Sequence, residues 1–259
     1  MIKNLRFSLF ACNGTKRATY EDNFLCDQII YSEQPLPLQI FGIKTENRQF
    51  YAVFDGFGED GKKAAMLAAD TLKKYQSLLI SDQRKEIDPY MIMCLMEANK
   101  KICESTTEQS KTGTSAAIFC TDNNKGYVYN IGDSRVYLVR NKKLYLLSED
   151  HTEANRLYKL GAVDYIQYRE LNKKRRLTQY LGVPAEDFVI KPYKTAFKLK
   201  KEDKILLCTN GITRILDEND IRALLADEYE YKSAELFKAI QTRNARDDCT
   251  AVLCELKNL

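Results

Sequence analysis

Four short acidic motifs, far apart in the sequence, restrict the possible folds of this chain more than any other feature. In order they are Arg17-Ala-Thr-Tyr-Glu21-Asp22, Asp55-Gly56-Phe57-Gly58, Gly132-Asp133-Ser134-Arg135 and Arg246-Asp247-Asp248, and the segment KILLC-TNGITRIL at 204–216 belongs to the same set. Carboxylates brought together at strand ends repel one another unless they share a cation. Because oxygen ligands suit hard divalent ions, the motifs predict a fold that gathers them around Mg2+ or Mn2+.

The length and composition of the chain indicate a single domain over residues 1–259. With 259 residues, 44% of them apolar, the chain can bury a large core, and it contains no internal repeat or Gly/Ser linker. The net charge is only +4, so no overall electrostatic field favours binding to nucleic acid or a membrane. We also expect a monomer. Two basic runs, Lys173–Arg176 and Lys198–Lys201, are interpreted as solvated surface; the alternative for the first is recognition of an anionic substrate.

Cysteine usage and the lack of long apolar segments predict a cytoplasmic protein. The eight cysteines include no C-x-x-C pair, and most lie in apolar runs, as expected for buried free thiols in a reducing compartment. The first residues contain too few consecutive apolar positions for a signal peptide. No later segment approaches the ~18 apolar residues that span a bilayer.

The chain contains one histidine, His151, which excludes several classes of enzyme. Zinc proteases, histidine-based triads and dinuclear phosphatases with several imidazole ligands all need more than one. In its context, SEDHT, this histidine is predicted to be a hydrogen-bonding loop residue. Any chemistry must therefore depend on carboxylates, thiols, hydroxyls or metal ions.

Strands and helices occur in separate blocks along the sequence rather than in strict alternation. Strand-like runs at RFSLFAC, LQIFGI and RQFYAVFD precede helical spacing over Lys62–Ile80 and Asp88–Thr107. A meander of TSAAIFC, KGYVYNIG, SRVYLVR and KLYLLS follows, then short helices and loops over Glu153–Leu181. The remaining elements are strands near Val189–Lys198 and Lys204–Cys208, helices at Asp217–Leu225 and Lys232–Ile240, and the strand CTAVLCEL. This segregation predicts an α+β fold with antiparallel sheets and helices packed outside them.

Two phosphate-binding motifs match the sequence in part and are interpreted as accidental. The stretch from Gly56 to Gly61 satisfies G-x-G-x-x-G, but a second helix follows where a dinucleotide-binding unit needs a strand. The same stretch approaches a P-loop, but Lys63 stands where a Ser or Thr hydroxyl should reach Mg2+. The acidic residues of this loop would repel phosphate in either case.

A third motif leaves a cysteine phosphatase open as an alternative. Cys208 and Arg214 form a C-x5-R loop, the spacing that lets a thiolate attack phosphorus while an arginine holds the oxygens. Against this, Cys208 ends the apolar run KILLC and follows Leu207 rather than a polar residue. A buried structural thiol is therefore the favoured interpretation.

The complete set of motifs resembles one protein family. Its eight segments are, in order, Arg17-x-x-x-Glu21-Asp22, FYAVFDGFG, GTSAAIF, IGDSRVYLVR, LSEDHT, LTQYLG, LLCTNGITRILDENDI and RDDCTAV. This order is similar to that of the metal-dependent type 2C (PPM) serine/threonine protein phosphatases, and it spans roughly residues 17 to 256. The resemblance implies an α/β–β/α four-layer sandwich, in which two packed antiparallel sheets are flanked by helices.

The resemblance also implies a pair of Mn2+ or Mg2+ ions and the residues that bind them. The ions are bridged by a carboxylate and by the water that attacks the phosphoester. Asp55 is expected to bridge the two ions, and the Gly56 carbonyl to add a ligand. Asp247 is expected to bind the first ion, while Glu21 and Asp22 hold the second directly or through water.

Two further residues receive roles from the resemblance. Asp133 matches the acid that helps to hold a third, weaker ion in some members; the alternative is that it only caps a turn. Arg17 is expected to grip the phosphate with its planar guanidinium; the alternative is a pair with a surface carboxylate. The segment Glu153–Leu181 is expected to shape access to the site.

The chain departs from the family pattern at two positions. Phe57 stands where many eukaryotic members have a histidine, although bacterial members often have methionine there. Asn210 stands where the family has an aspartate that binds the first metal ion, so the site loses one negative charge. Because loss of a neighbouring partner alone costs metal affinity about 10- to 100-fold, we expect a need for millimolar metal or a very low turnover.

Three functions follow from these observations. The favoured one is a phosphatase that acts on phosphoserine and phosphothreonine in proteins and opposes a cognate kinase, because so many gathered acids have no purpose in a scaffold. The second is a pseudophosphatase, impaired at Asn210, that binds a partner or phosphoprotein. The third is the cysteine phosphatase built on Cys208.

Overall fold

The computed structural model of the protein describes residues 4–16, 18–105, 111–174, 176–184, 189–226 and 232–257. In chain order the strands are β1 (Asn4–Cys12), β2 (Asn23–Cys26), β3 (Ile29–Ile30), β4 (Leu38–Lys44), β5 (Arg48–Phe57), β6 (Gly113–Asp122), β7 (Lys125–Ile131), β8 (Arg135–Arg140), β9 (Lys143–Leu146), β10 (Tyr193–Lys198), β11 (Lys204–Cys208) and β12 (Cys249–Lys257). The helices are α1 (Gly61–Ser81), α2 (Ile87–Ser105), α3 (Glu153–Lys159), α4 (Tyr165–Asn172), α5 (Asn210–Ile215), α6 (Glu218–Leu225) and α7 (Lys232–Thr242).

Within these residues the strands form two six-stranded sheets. Sheet 1 has the order β4-β1-β12-β11-β8-β9, and sheet 2 has the order β10-β7-β6-β5-β2-β3. Neighbouring strands are antiparallel throughout both sheets. The last strand, β12, lies in the middle of sheet 1, between β1 and β11.

The apolar side chains form three clusters, which separate four layers. One cluster, which includes Leu9, Val53 and Val252, fills the space between the two sheets. A second lies between sheet 2 and the helices α1 and α2, and a third lies between sheet 1 and the helices α5, α6 and α7. The predicted α/β–β/α sandwich is confirmed.

The layers explain why the central strands are apolar along their whole length. Side chains alternate between the two faces of a strand, and here a packed layer covers both faces. In β1, Leu9 points into the space between the sheets, whereas the Phe10 ring stacks on Phe237 of α7 with centroids 4.9 Å apart. Such a strand therefore has no polar face to present to water.

Most predicted elements agree with the structure, and some differ at their ends. α1 begins and ends within one residue of the predicted Lys62–Ile80. α2 covers the prediction from Asp88 to Ser105, and residues 106 and 107 lie outside the described residues. The strand predicted at Val189–Lys198 was too long, because β10 begins only at Tyr193, where pairing with β7 starts.

The state of the cysteines also agrees with the prediction from the sequence. All eight cysteines are free thiols, and six of them are buried. No helix in the described ranges combines the length and the apolar character needed to cross a membrane. α6 starts with a capping box in which Asp217 and Asp220 bind each other's backbone N–H groups, which fixes its first turn.

The antiparallel order brings the acidic motifs to one edge of the sandwich. In sheet 1, Cys208 at the end of β11 pairs with Arg135 at the start of β8 and with Ala251 near the start of β12. The segments that follow β11 and precede β8 and β12 therefore meet at the same edge. These segments carry Asn210, Asp133 and Asp247.

The packing between the sheets predicts the cost of a cavity at Ile205. This β11 side chain is 0% exposed, so Ile205→Ala should lower the free energy of unfolding by about 2–5 kcal/mol. Urea denaturation measures the change. The matched control is Ile43→Ala in β4, where the side chain is 58% exposed and the change should stay within about 0.5 kcal/mol.

Candidate active site

A cavity of about 750 Å3 opens at the edge where the acidic motifs meet. Five carboxylates line it: Asp22, Asp55, Asp133, Asp247 and Asp248. Gly56 and Asn210 line it as well, so the structure brings together six of the residues that the sequence assigned to metal binding. Glu21 is absent from this lining, and Arg17 lies outside the described residues.

Asp22 is held at the base of the cavity by two threonines. Its Oδ2 accepts hydrogen bonds from the hydroxyls of Thr209, at 2.9 Å, and Thr250, at 2.7 Å. Burial is the main cause that raises the pKa of this carboxyl well above its usual value, and the charges of Asp55 and Asp248 raise it further. Asp22 thus experiences the mutual repulsion that the sequence motifs predict.

Asp248 connects the last strand to the loop that carries the first motif. Its Oδ1 accepts the backbone N–H of Gly14 at 2.9 Å, and its Oδ2 accepts that of Glu21 at 2.7 Å. This buried carboxylate therefore fixes both ends of the segment between β1 and β2. We call the two hydrogen bonds the Asp248 clamp.

Gly56 lies where three backbone segments meet too closely for any side chain. A Cβ at this position would stand 2.3 Å from the carbonyl oxygen of Gly61 and 2.5 Å from that of Glu21. Gly58 has a φ of +87°, a conformation that favours glycine. Close packing at the start of α1 thus accounts for the glycine spacing that resembles a nucleotide-binding loop.

The turn that carries Asp133 is fixed by His151. The backbone N–H of Gly132 donates to the imidazole Nδ1 of His151 at 3.1 Å. In return, the backbone N–H of His151 donates to the Gly132 carbonyl at 2.8 Å. Next to this turn, Asn210 Nδ2 donates to Asp133 Oδ2 over 3.4 Å. His151 therefore has the hydrogen-bonding loop role that the sequence predicts. Its partner, Gly132, directly precedes Asp133, an acid of the cavity.

Asp247 is paired with an arginine of the cavity wall. Arg214 Nη1 lies 2.7 Å from Asp247 Oδ2, and both residues line the cavity. The sequence drew attention to Arg214 only as a partner for Cys208. Cys208, however, is 0% exposed and belongs to the apolar cluster beneath α5, so it does not face the cavity.

Basic and aromatic side chains line the same cavity. Lys111, Lys174 and Arg176 line it, and the ring of Phe57 packs edge-on against Tyr180 with centroids 5.0 Å apart. Lys174 and Arg176 belong to the basic run interpreted as solvated surface, and both are exposed as that interpretation expects. Because they also line the cavity, the alternative role in recognising an anion stays a prediction. The segment 153–181 thus forms part of the cavity wall.

The donor chemistry of this cavity fits hard divalent cations. Asp22, Asp55, Asp133 and Asp247 offer carboxylate oxygens, and Asn210 offers an amide oxygen, the ligand types that Mg2+ and Mn2+ prefer. Among the described residues, no group of three or more Asp, Glu, His or Cys side chains is close enough to hold an ion in its present arrangement. The ligand types are therefore suitable, while Arg214 and Asn210 hold two of the acids.

Comparison with known proteins decides the family. A sequence model described as Protein phosphatase 2C matches residues 6–255. The chain belongs to the protein phosphatase 2C family. The resemblance found in the sequence motifs is therefore confirmed.

Curated relatives of this protein phosphatase 2C member carry the same activity in their names. Serine/threonine phosphatase stp of Listeria monocytogenes is 26% identical over 224 residues, which cover 81% of this chain and 85% of that protein. Protein phosphatase PhpP of Streptococcus pneumoniae is 24% identical over 179 residues, which cover 68% and 72%. The predicted enzyme class, protein serine/threonine phosphatase, is confirmed at the level of the family.

Solved structures share the fold at lower sequence identity. The S. agalactiae serine/threonine phosphatase has a TM-score of 0.77 at 21% identity, and the match covers 98% of this chain and 100% of that chain. The catalytic domain of phosphatase PstP, determined in complex with two manganese ions, has a TM-score of 0.77 at 20% identity and covers 98% and 99%. These likenesses establish the fold of this phosphatase 2C member.

Removal of the Asp248 clamp should destabilise the protein. Asp248→Ala leaves the N–H groups of Gly14 and Glu21 without their acceptor, which should cost about 2–4 kcal/mol. Urea denaturation in EDTA measures this loss without a contribution from metal ions. Glu86→Ala, at an exposed position, is the control and should change stability by less than about 0.5 kcal/mol. An equal effect of the two substitutions would contradict the clamp.

The buried imidazole of His151 predicts a pH dependence of stability. Burial is the main cause that lowers its pKa below the ordinary 6.5, so the folded protein binds this proton less readily than the unfolded chain. The stabilisation is complete above about pH 6.5 and is lost as the pH falls toward the lower folded pKa. His151→Asn keeps an acceptor for Gly132 that does not titrate.

The urea midpoint of the wild type should therefore fall relative to that of His151→Asn between about pH 7.5 and pH 5.5. A constant difference between the two proteins across this range would show that His151 does not titrate in it.

Proposed function

We propose that residues 1–259 form one metal-dependent phosphatase domain that hydrolyses phosphoserine and phosphothreonine esters in proteins. The observation that carries this proposal is the convergence of five aspartates from separate motifs on one cavity that basic residues also line. The names of the curated relatives support the reaction class.

In this proposal the acidic residues of the cavity bind two ions, Mn2+ or Mg2+, with a third, weaker one near Asp133. Asp55 would be a ligand of both ions, and the Gly56 carbonyl would contribute a further ligand. Asp247 and Asn210 would bind the first ion, whereas Asp22 and Glu21 would hold the second directly or through water. Such ions, when bound, activate a water at neutral pH and stabilise charge on the phosphoryl group.

The basic residues of the cavity would bind the phosphorylated segment of the substrate. Lys111, Lys174 and Arg176 attract the phosphate, and Arg17 grips its oxygens, since a guanidinium matches this geometry. Phe57 and Tyr180 add an aromatic surface to the cavity, which would limit the water around the reacting ester. The positions of Lys111, Lys174 and Arg176 in the cavity lining support their role in binding.

The metal requirement of the enzyme provides the first test. We expect hydrolysis of a phosphothreonine peptide and of p-nitrophenyl phosphate to rise with Mn2+ through the millimolar range and to vanish in EDTA. Asp55→Asn should remove at least about 100-fold of the activity at saturating Mn2+, because the bridging charge is lost. Activity that persists in EDTA would overturn the metal-dependent mechanism.

Asn210 is proposed to weaken the first metal site. An amide supplies an oxygen but lacks the charge of a carboxylate, so Asn210→Asp should lower the half-saturating Mn2+ concentration at least about tenfold. A matched change at the exposed Asn244, Asn244→Asp, adds the same charge away from the cavity and should leave the metal requirement unchanged. Equal metal requirements of wild type and Asn210→Asp would refute this role.

Two contacts support one alternative function, that of a pseudophosphatase. Asn210 holds Asp133, and Arg214 holds Asp247, so two acids of the cavity already have polar partners. A pseudophosphatase would bind a phosphopeptide without turnover at any Mn2+ concentration, and Asn210→Asp would not restore activity. A cognate kinase, a monomeric state and a cytoplasmic location stay predictions of the same proposal.

A further inference from the structure

We propose that Arg214 is an internal counter-ion of Asp247 that competes with the first metal ion and thereby sets the metal requirement of the enzyme. This inference rests on the proposed metal-binding role of Asp247. It assigns the weak metal binding expected of this chain to two separate residues, Asn210 and Arg214.

The fold places Arg214 in a position to compete. Asn210 and Arg214 are four residues apart in α5, so they lie on the same side of this short helix, and both line the cavity. α5 packs directly on the chain before β12, because a Cβ on Gly211 would stand 1.9 Å from the Asp248 carbonyl oxygen. Backbone contact therefore fixes the helix beside Asp247, within reach of the arginine.

The contact itself is a partly exposed ion pair that can open. Arg214 Nη1 lies 2.7 Å from Asp247 Oδ2. The Arg214 side chain is 46% exposed and that of Asp247 is 25% exposed, so the guanidinium can turn into solvent. By contrast, Arg135 binds Asp150 through two hydrogen bonds and is largely buried, which makes that pair a fixed structural element.

Competition follows from the charges and the shared ligand atom. An ion that binds Asp247 through Oδ2 must first replace Arg214, and a guanidinium that stays nearby repels the ion. The measured metal affinity is then the intrinsic affinity reduced by the free energy of the Arg214–Asp247 pair. Asn210 removes one negative charge from the same site, so the two residues weaken metal binding by different means.

Titration with Mn2+ tests the competition without any need for catalysis. Calorimetry or the electron paramagnetic resonance signal of free Mn2+ gives the affinity of the wild type and of Arg214→Gln. We expect Arg214→Gln to bind Mn2+ about 1.5- to fivefold more tightly, as loss of a partly exposed ion pair predicts. Arg214→Lys, which keeps the charge, should stay closer to the wild type.

The chain offers a charge control in a second ion pair. Arg84 Nε lies 2.9 Å from Asp82 Oδ1, with side chains that are 91% and 29% exposed, and neither residue lines the cavity. Arg84→Gln changes the net charge by the same amount, so its Mn2+ affinity should equal that of the wild type. A similar gain in both variants would mean that overall charge, rather than competition, is responsible, which would overturn the proposal.

Salt provides an independent readout of the same ion pair. Because exposed charges are screened at high ionic strength, about 0.5 M KCl should reduce the difference in affinity between wild type and Arg214→Gln. A difference that is unchanged by salt would contradict a role for Arg214 through its charge.

The outcomes separate this inference from the proposed function. Equal Mn2+ affinity in the wild type and in Arg214→Gln, with tighter binding in Asn210→Asp, would overturn only the role of Arg214. A raised KM of Arg214→Gln at saturating Mn2+, with unchanged metal affinity, would make Arg214 a substrate-binding residue instead. Absence of Mn2+ binding in every variant would overturn the metal site and the competition together.

Discussion

The crowding of carboxylates at one edge of two packed sheets is the constraint on which the rest of this structure depends. Five aspartates line a single cavity, where burial first, and then the charges of Asp55 and Asp248, raise the pKa of Asp22 well above its usual value. Each acid with a described contact has a different kind of partner: threonine hydroxyls at Asp22, backbone N–H groups at Asp248, a guanidinium at Asp247 and the Asn210 amide at Asp133. These contacts let the chain fold with its charges gathered.

The overall fold was predictable because local patterns and the global arrangement agree. Strands covered on both faces are continuous apolar runs, and α1 shows the helical spacing of a helix with one buried face. The short strands β2 and β3, with four and two residues, leave no such pattern in the sequence. β2 is positioned by pairing with β5 and β3 by pairing with β2, a tertiary effect that local sequence does not encode.

The site was predictable where motifs carry the chemistry and unpredictable where contacts join distant segments. Asp22, Asp55, Asp133 and Asp247 reach the cavity as expected. The clamp joins Asp248 to Gly14 across 234 positions, and no local signal in the sequence indicates it. Arg214 was misleading for a simple reason: Cys208 points into the apolar cluster under α5, so the arginine of the C-x5-R spacing meets Asp247 instead.

The position of β12 has a consequence for protein synthesis. This strand occupies the middle of sheet 1, and Thr250 and the neighbouring Asp248 hold Asp22 and the loop around Glu21. A nascent chain that has not yet emerged beyond residue 250 therefore lacks both the middle of a sheet and the supports of its cavity. Synthesis must pass β12 before the acidic cavity can form, so the site of the first motif is completed only after the last motif has been made.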